Sequence, residues 1–146
     1  MSTDTNFPVL LLVEDENLLV PILEDALSDE GFNVVTAHDG NTALQELEAG
    51  ATEFKAVITD IRLGTGPDGW DVGRRARELV PSMPIIYMSG DSAHDWSANG
   101  VPESVMLQKP FVGAQLITAV ATLLNSASAT ASVEAQPLDA KKSPSS

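Results

Sequence analysis

The sequence predicts an α/β domain with a doubly wound, five-stranded parallel sheet and helices on both faces. Three observations carry this. Five short apolar runs recur along the chain, and stretches with helical spacing of apolar residues separate them. The chain of 146 residues is the length of one ordinary domain, and it contains no cysteine. Such a chain buries a core without needing a disulfide or metal staple.

The first run, Val9–Val13, is apolar throughout, as a strand buried on both faces must be. Leu18, Leu19, Ile22, Leu23, Ala26 and Leu27 then form a stripe ending at Gly31, which predicts the first helix. Pro21 falls in its first turn, where a missing N–H costs little. Val34 and Val35 within Phe32–Ala37 mark the second strand. Asn41–Ala49, with Ala43, Leu44 and Leu47, predicts the second helix and stops at Gly50. Ala56–Ile58 is the third strand. Trp70–Leu79, closed by Val80-Pro81, is the third helix, and Ile85–Met88 the fourth strand. Asp91–Gly100 holds a helix's place in the alternation, but its Asp, Ser, Asn and Gly predict a weak, short one. Val105–Leu107 is the fifth strand. Val112–Leu124 is the last helix, with Leu116, Ile117, Val120, Leu123 and Leu124 on one face. The 21 residues from Ser126 include six Ser and five Ala and no aromatic. That composition predicts a disordered tail over 126–146. With 1–7 read as a flexible N-terminus, the domain spans 8–125.

Charge excludes several functions. Eight Lys and Arg face 21 Asp and Glu, a net charge of −13, all of it before Ser126. A chain this acidic repels phosphate backbones, and no basic run is longer than Arg74-Arg75, so direct nucleic-acid binding is not expected. No run is long enough to span a membrane, and the first residues show no secretory signal. These observations predict a soluble cytoplasmic protein that attracts cations or basic partner surfaces.

In a doubly wound sheet the site lies at the carboxyl ends of the strands. Glu14, Asp15 and Glu16 follow the first strand, Asp60 the third, Ser89 the fourth, and Lys109-Pro110 the fifth. Carboxylates, a hydroxyl and an ammonium thus converge in one crevice. Crowded carboxylates repel, and a hard cation with oxygen ligands relieves that cost; Mg²⁺ fits because it takes few carboxylates and keeps positions for water or phosphate. Lys109 supplies a point charge for a phosphoryl oxygen.

The order Glu14-Asp15, Asp60, Ser89, Lys109-Pro110-Phe111 resembles the receiver domain of bacterial two-component response regulators, over about Val9 to Leu124. The resemblance implies a flavodoxin-like sheet of order 2-1-3-4-5 and a phosphoacceptor at Asp60. It implies Mg²⁺ held directly by Asp15, mostly through water by Glu14, by Asp60 itself, and by the backbone carbonyl of Arg62. Ser89 would be the switch hydroxyl and Lys109 its cationic partner. The implied partners are a sensor histidine kinase or histidine phosphotransfer protein and a downstream protein. The protein would be a stand-alone response regulator or phosphate sink, and not an enzyme beyond its own phosphorylation and dephosphorylation; a homodimer stays open. Two other classes compete: an interaction module that never takes phosphate, and a small Mg²⁺-dependent phosphohydrolase.

Several features depart from the family's pattern or stand outside it. The loop Gly64-Thr65-Gly66-Pro67 is about one residue longer than usual, and Met106 replaces the usual switch aromatic. Met106 has no polar tip for a two-position latch, so a small response concentrated in Asp91–Gly100 and Gly64–Asp68 is expected. Gly64, Gly66 and Gly69 match a dinucleotide fingerprint, but Asp60 and three further residues precede the first glycine and Asp68 would face a pyrophosphate. The loop therefore reads as a turn. His38 and His94 read as surface residues, Trp70 as packing, Trp96 as a half-exposed partner contact, and Arg74, Arg75 and Arg77 as a solvated face. Arg62 and Asp91 each stand two residues beyond a site residue. Their opposite charges are expected to pair across the mouth unless Arg62 simply points into solvent.

Overall fold

The computed structural model describes residues 7–91, 93–111 and 113–135, with the backbone alone at 93 and over 126–135. The chain runs β1 (Val9–Val13), α1 (Leu19–Asp29), β2 (Asn33–Ala37), α2 (Gly40–Gly50), β3 (Phe54–Asp60), α3 (Gly69–Leu79), β4 (Ile85–Ser89), α4 (Trp96–Asn99), β5 (Val105–Gln108) and α5 (Gly113–Ala135). The five strands form one sheet in the order β2-β1-β3-β4-β5, and every pair is parallel. This is the doubly wound, flavodoxin-like arrangement the sequence predicts.

Alternation along each strand divides the core in two. Leu11, Val13, Val57, Ile85 and Tyr87 face one side, where Ala43 and Leu47 of α2 and Trp70, Val72 and Ala76 of α3 cover them. Leu10, Leu12, Ala56, Ile58, Ile86 and Met88 face the other, under Leu23 and Leu27 of α1 and Leu116, Ala119 and Val120 of α5. A strand buried on both faces needs apolar residues at every position, which is why β1, β3 and β4 were legible as runs.

Two elements differ from the sequence reading. In α1 the inward stripe is narrower than the apolar pattern: Leu23 and Leu27 are buried, while Leu18 and Ile22 are 88% and 61% exposed. Both lie one step around the helix from the stripe that meets the sheet. Helix α5 continues through 126–135, where composition predicted an unfolded tail. Helix propagation costs far less than nucleation, and Ala at alternate positions extends a helix already anchored by Leu116 and Val120. The remainder of that tail, 136–146, and residues 1–6 of the N-terminus lie outside the described residues. The weak fourth helix is as expected, a single turn after a 3₁₀ turn at Ala93–Asp95.

Candidate phosphoacceptor site

The ladder continues past the strand ends by backbone bonds that fix the site residues. The Glu14 amide donates to the Ala37 carbonyl at 3.0 Å, Ile61 N to Met88 O at 3.1 Å, and Lys109 N to Ser89 O at 2.8 Å. Glu14, Asp60, Ser89 and Lys109 are thus set by main chain as well as by packing. Residue 69 must be glycine: a Cβ there would stand 2.1 Å from the Asp60 carbonyl oxygen. Its amide donates to Ile61 O at 2.8 Å, so the glycine-rich loop spends its closing N–H on the domain itself. That accounts for the dinucleotide match as a turn.

A cleft of about 520 Å³ opens at this end of the sheet. Asp15, Asp60, Ser89 and Lys109 line it together with Glu16, Arg62, Gly90 and Asp91. Glu14 is fully buried beneath. One of its oxygens accepts from Lys109 Nζ at 3.0 Å and the other from the Glu16 amide at 3.0 Å. Lys109 also reaches Asp60 Oδ2 at 3.4 Å. The other Asp60 oxygen accepts from Ile61 N at 2.9 Å, and the Thr59 hydroxyl donates to the Asp60 carbonyl at 2.8 Å. Carboxylate oxygens of Glu14, Asp15 and Asp60 lie within 4.8 Å of one another. That grouping of hard oxygen donors, two of them on buried residues, is compatible with a divalent cation.

Electrostatics follow from the crowding. Burial, then the charge of Glu14, push the Asp60 carboxyl up to about 7 against the pull of Lys109 and the Ile61 amide. Burial alone would lower Lys109, but its hydrogen bond to Glu14 and the charges of Asp60 and Glu14 outweigh this and raise it. Lys109 is therefore a fixed cation. Asp60 is the group whose charge a ligand can change.

Arg62 and Asp91 do pair across the mouth, Nε to Oδ1 at 3.0 Å, with side chains 73% and 59% exposed. The Asp91 amide donates to Ser89 Oγ at 3.1 Å, which ties the pair to the Ser89 hydroxyl. His38 and His94 are exposed, and Trp70 packs on Tyr87, as read. The arginine face is solvated as expected, with Arg74 exposed and Arg75 and Arg77 half-buried, and it is also cross-linked. Arg74 binds Asp71 and the Asn99 carbonyl, Arg75 binds Glu48 and Glu78, and Arg77 donates to the Met83 and Pro102 carbonyls. They brace α3 against its neighbours. Sequence reasoning gave no role to the Glu16 amide or Thr59, whose neighbours in sequence were the available signal.

Fold and site together define a class, a receiver-type signalling domain whose acidic cluster is consistent with phosphoacceptance. Residues 10–121 match the response regulator receiver domain family, and the chain belongs to it. The chain is 48% identical to a response regulator receiver protein of known structure from Sinorhizobium medicae WSM419, with a TM-score of 0.80 over 83% of this chain and 97% of that one. The receiver domain of the sensor histidine kinase PA1611 from Pseudomonas aeruginosa PAO1, which holds a magnesium ion in its active-site cleft, is 25% identical with a TM-score of 0.70, covering 82% and 98%. Among curated proteins, the transcriptional regulatory protein PrrA of Mycobacterium leprae is 34% identical over 90% of this chain and 56% of its own length. The chain spans about half the length of the curated relatives it matches. The acidic cluster is consistent with the domain's own phosphorylation and dephosphorylation within two-component signalling.

Proposed function

We propose that Asp60 accepts a phosphoryl group from the phosphohistidine of a sensor kinase or histidine phosphotransfer protein. A carboxylate oxygen of Asp60 forms the new P–O bond as the P–N bond to the donor imidazole breaks, and the electron pair stays with the ring nitrogen. The observation that carries this reading is Lys109, whose ammonium bridges Glu14 and Asp60 beside an open cleft. It offsets charge on the phosphoryl oxygens, while the Ser89 hydroxyl, which lines the same cleft, would donate to one of them. Glu14 anchors Lys109 from below. Asp15 and Asp60, with Glu14 acting through water and the Arg62 backbone carbonyl, would hold Mg²⁺. When bound, that ion neutralises the carboxylates and screens the transferring group.

The exposed Leu18 and Ile22 beside the β1 end offer the donor protein an apolar foothold near the cleft. No helix among the described residues is long and apolar enough to cross a membrane. On this reading the protein works in the cytoplasm, where it meets the kinase.

Incubation with a small phosphodonor and Mg²⁺ tests the assignment. Wild-type protein is expected to take up one acid-stable, hydroxylamine-labile phosphoryl group, and Asp60→Asn none. Undiminished labelling of Asp60→Asn would move the acceptor elsewhere.

A further inference from the structure

The position three residues before Lys109 is Met106, which has no hydroxyl. Its direct partner across the β4–β5 ladder is Tyr87. Tyr87 stands two residues before Ser89 on β4, so both side chains leave the same face of the sheet. The Tyr87 ring is fully buried, with its centroid 4.8 Å from that of Trp70. Its hydroxyl fills a notch in α3 that exists because residue 73 is glycine: a Cβ there would stand 2.3 Å from the oxygen.

From that hydroxyl a chain of hydrogen bonds leads to the surface. Val101 N donates to Tyr87 Oη at 3.1 Å. The Val101 carbonyl accepts from Ser104 Oγ at 2.6 Å, and Ser104 Oγ accepts from Trp96 Nε1 at 2.9 Å. Trp96 is 37% exposed and opens α4. With four residues and none of them buried, α4 has no stability of its own, and outside contacts set its position.

We infer that Tyr87 couples the state of the cleft to Trp96 through Val101 and Ser104. The inference rests on Asp60 as acceptor. When the phosphoryl group draws Ser89 toward it, the end of β4 shifts, Tyr87 moves with it, and the hydrogen-bonded chain carries the displacement to the Trp96 indole. The buried aromatic on β4 does this in a chain whose β5 carries methionine at the facing position. Tyr87 is a positioning residue. It does not touch the acceptor.

Fluorine NMR of protein labelled with 5-fluorotryptophan reads the inference directly, with the Trp96 resonance assigned by Trp96→Phe. Phosphorylation by a small phosphodonor with Mg²⁺ is followed on the same samples by intact mass. In the wild type the Trp96 resonance is expected to shift as Asp60 loads. Tyr87→Phe and Ser104→Ala are expected to load to the wild-type extent yet lose the shift. Two variants guard against misfolding of either one. An unmoved Trp96 resonance in loaded wild type, or a full shift in both loaded variants, would overturn the coupling and leave the acceptor untouched. Failure of wild-type Asp60 to load would overturn the acceptor and the coupling with it.

Discussion

Helices α3 and α4 follow β3 and β4, the strands whose ends carry Asp60 and Ser89 into one cleft, and are built on opposite principles. Helix α3 has eleven residues and its own start signal, a capping box in which Asp68 accepts from Asp71 N at 3.0 Å and Asp71 accepts from Asp68 N at 3.1 Å. It buries Trp70, Val72 and Ala76 against the sheet. Helix α4 has four residues, no side-chain cap and no buried residue. What holds it comes from elsewhere, through Ser104 on the Trp96 indole and Arg74 on the Asn99 carbonyl. The difference shows how one cleft can have a fixed wall and a compliant one. Asp60 leans on the fixed wall through Gly69, while Ser89 and Asp91 lead toward the compliant one.

The two tryptophans give the widest separation. Trp70→Ala removes a core ring and is expected to cost about 3–5 kcal/mol, whereas Trp96→Ala, at a half-exposed site held by a single side-chain hydrogen bond, is expected to cost about 1 kcal/mol. Urea unfolding of both variants makes the comparison. Equal losses would mean that α4 is as deeply seated as α3.

Asp60 comes next in size. Its carboxyl is raised to about 7 in the fold, chiefly by burial and then by Glu14, from an ordinary value of 3.8. Between those values the folded protein holds a proton that the unfolded chain releases, so stability in the absence of divalent cation falls as pH rises from near 4 toward 7. Asp60→Asn is expected to flatten that slope and stabilise the protein near neutral pH by ~1–2 kcal/mol, one pKa unit corresponding to 1.36 kcal/mol. Melting temperatures across this pH range check it. A slope unchanged by the substitution would assign the titration to another group.

Much of this was legible in the sequence because it depends on local pattern. Continuous apolar runs announce strands buried on both faces, and Glu14, Asp60, Ser89 and Lys109 each directly follow or close one of them. A parallel sheet then brings those ends together whatever the helices do. The Arg62–Asp91 pair was legible for the same reason, since each residue is counted from a strand end. The exposure of Leu18 and Ile22 was not, because the apolar pattern of α1 is wider than the stripe the sheet can cover. Nor was the Tyr87–Val101–Ser104–Trp96 chain. It joins residues whose meeting depends on a notch at Gly73 in another helix.

The smallest effect on stability is expected at the mouth. Arg62→Ala and Asp91→Ala break an exposed pair worth only about 0–1 kcal/mol. The same pair lines the cleft that holds Asp60, and on the proposed function water would pass it to reach an acyl phosphate there. Each variant is expected to lose its phosphoryl group faster than wild type, and the double variant no faster than either. Unchanged decay in both single variants would remove the pair from any gating role and leave the wall at Asp91 without a function.

Amide hydrogen exchange with and without Mg²⁺ and beryllofluoride tests most directly whether the acceptor's state is felt by the compliant wall and not by the fixed one. Protection is expected to change over 91–104 and in the loop 64–68, with α3 and α5 nearly unaltered. Large changes across α5, or a uniform response in α3 and α4, would contradict the division of the cleft into a wall that holds the chemistry and a wall that answers to it.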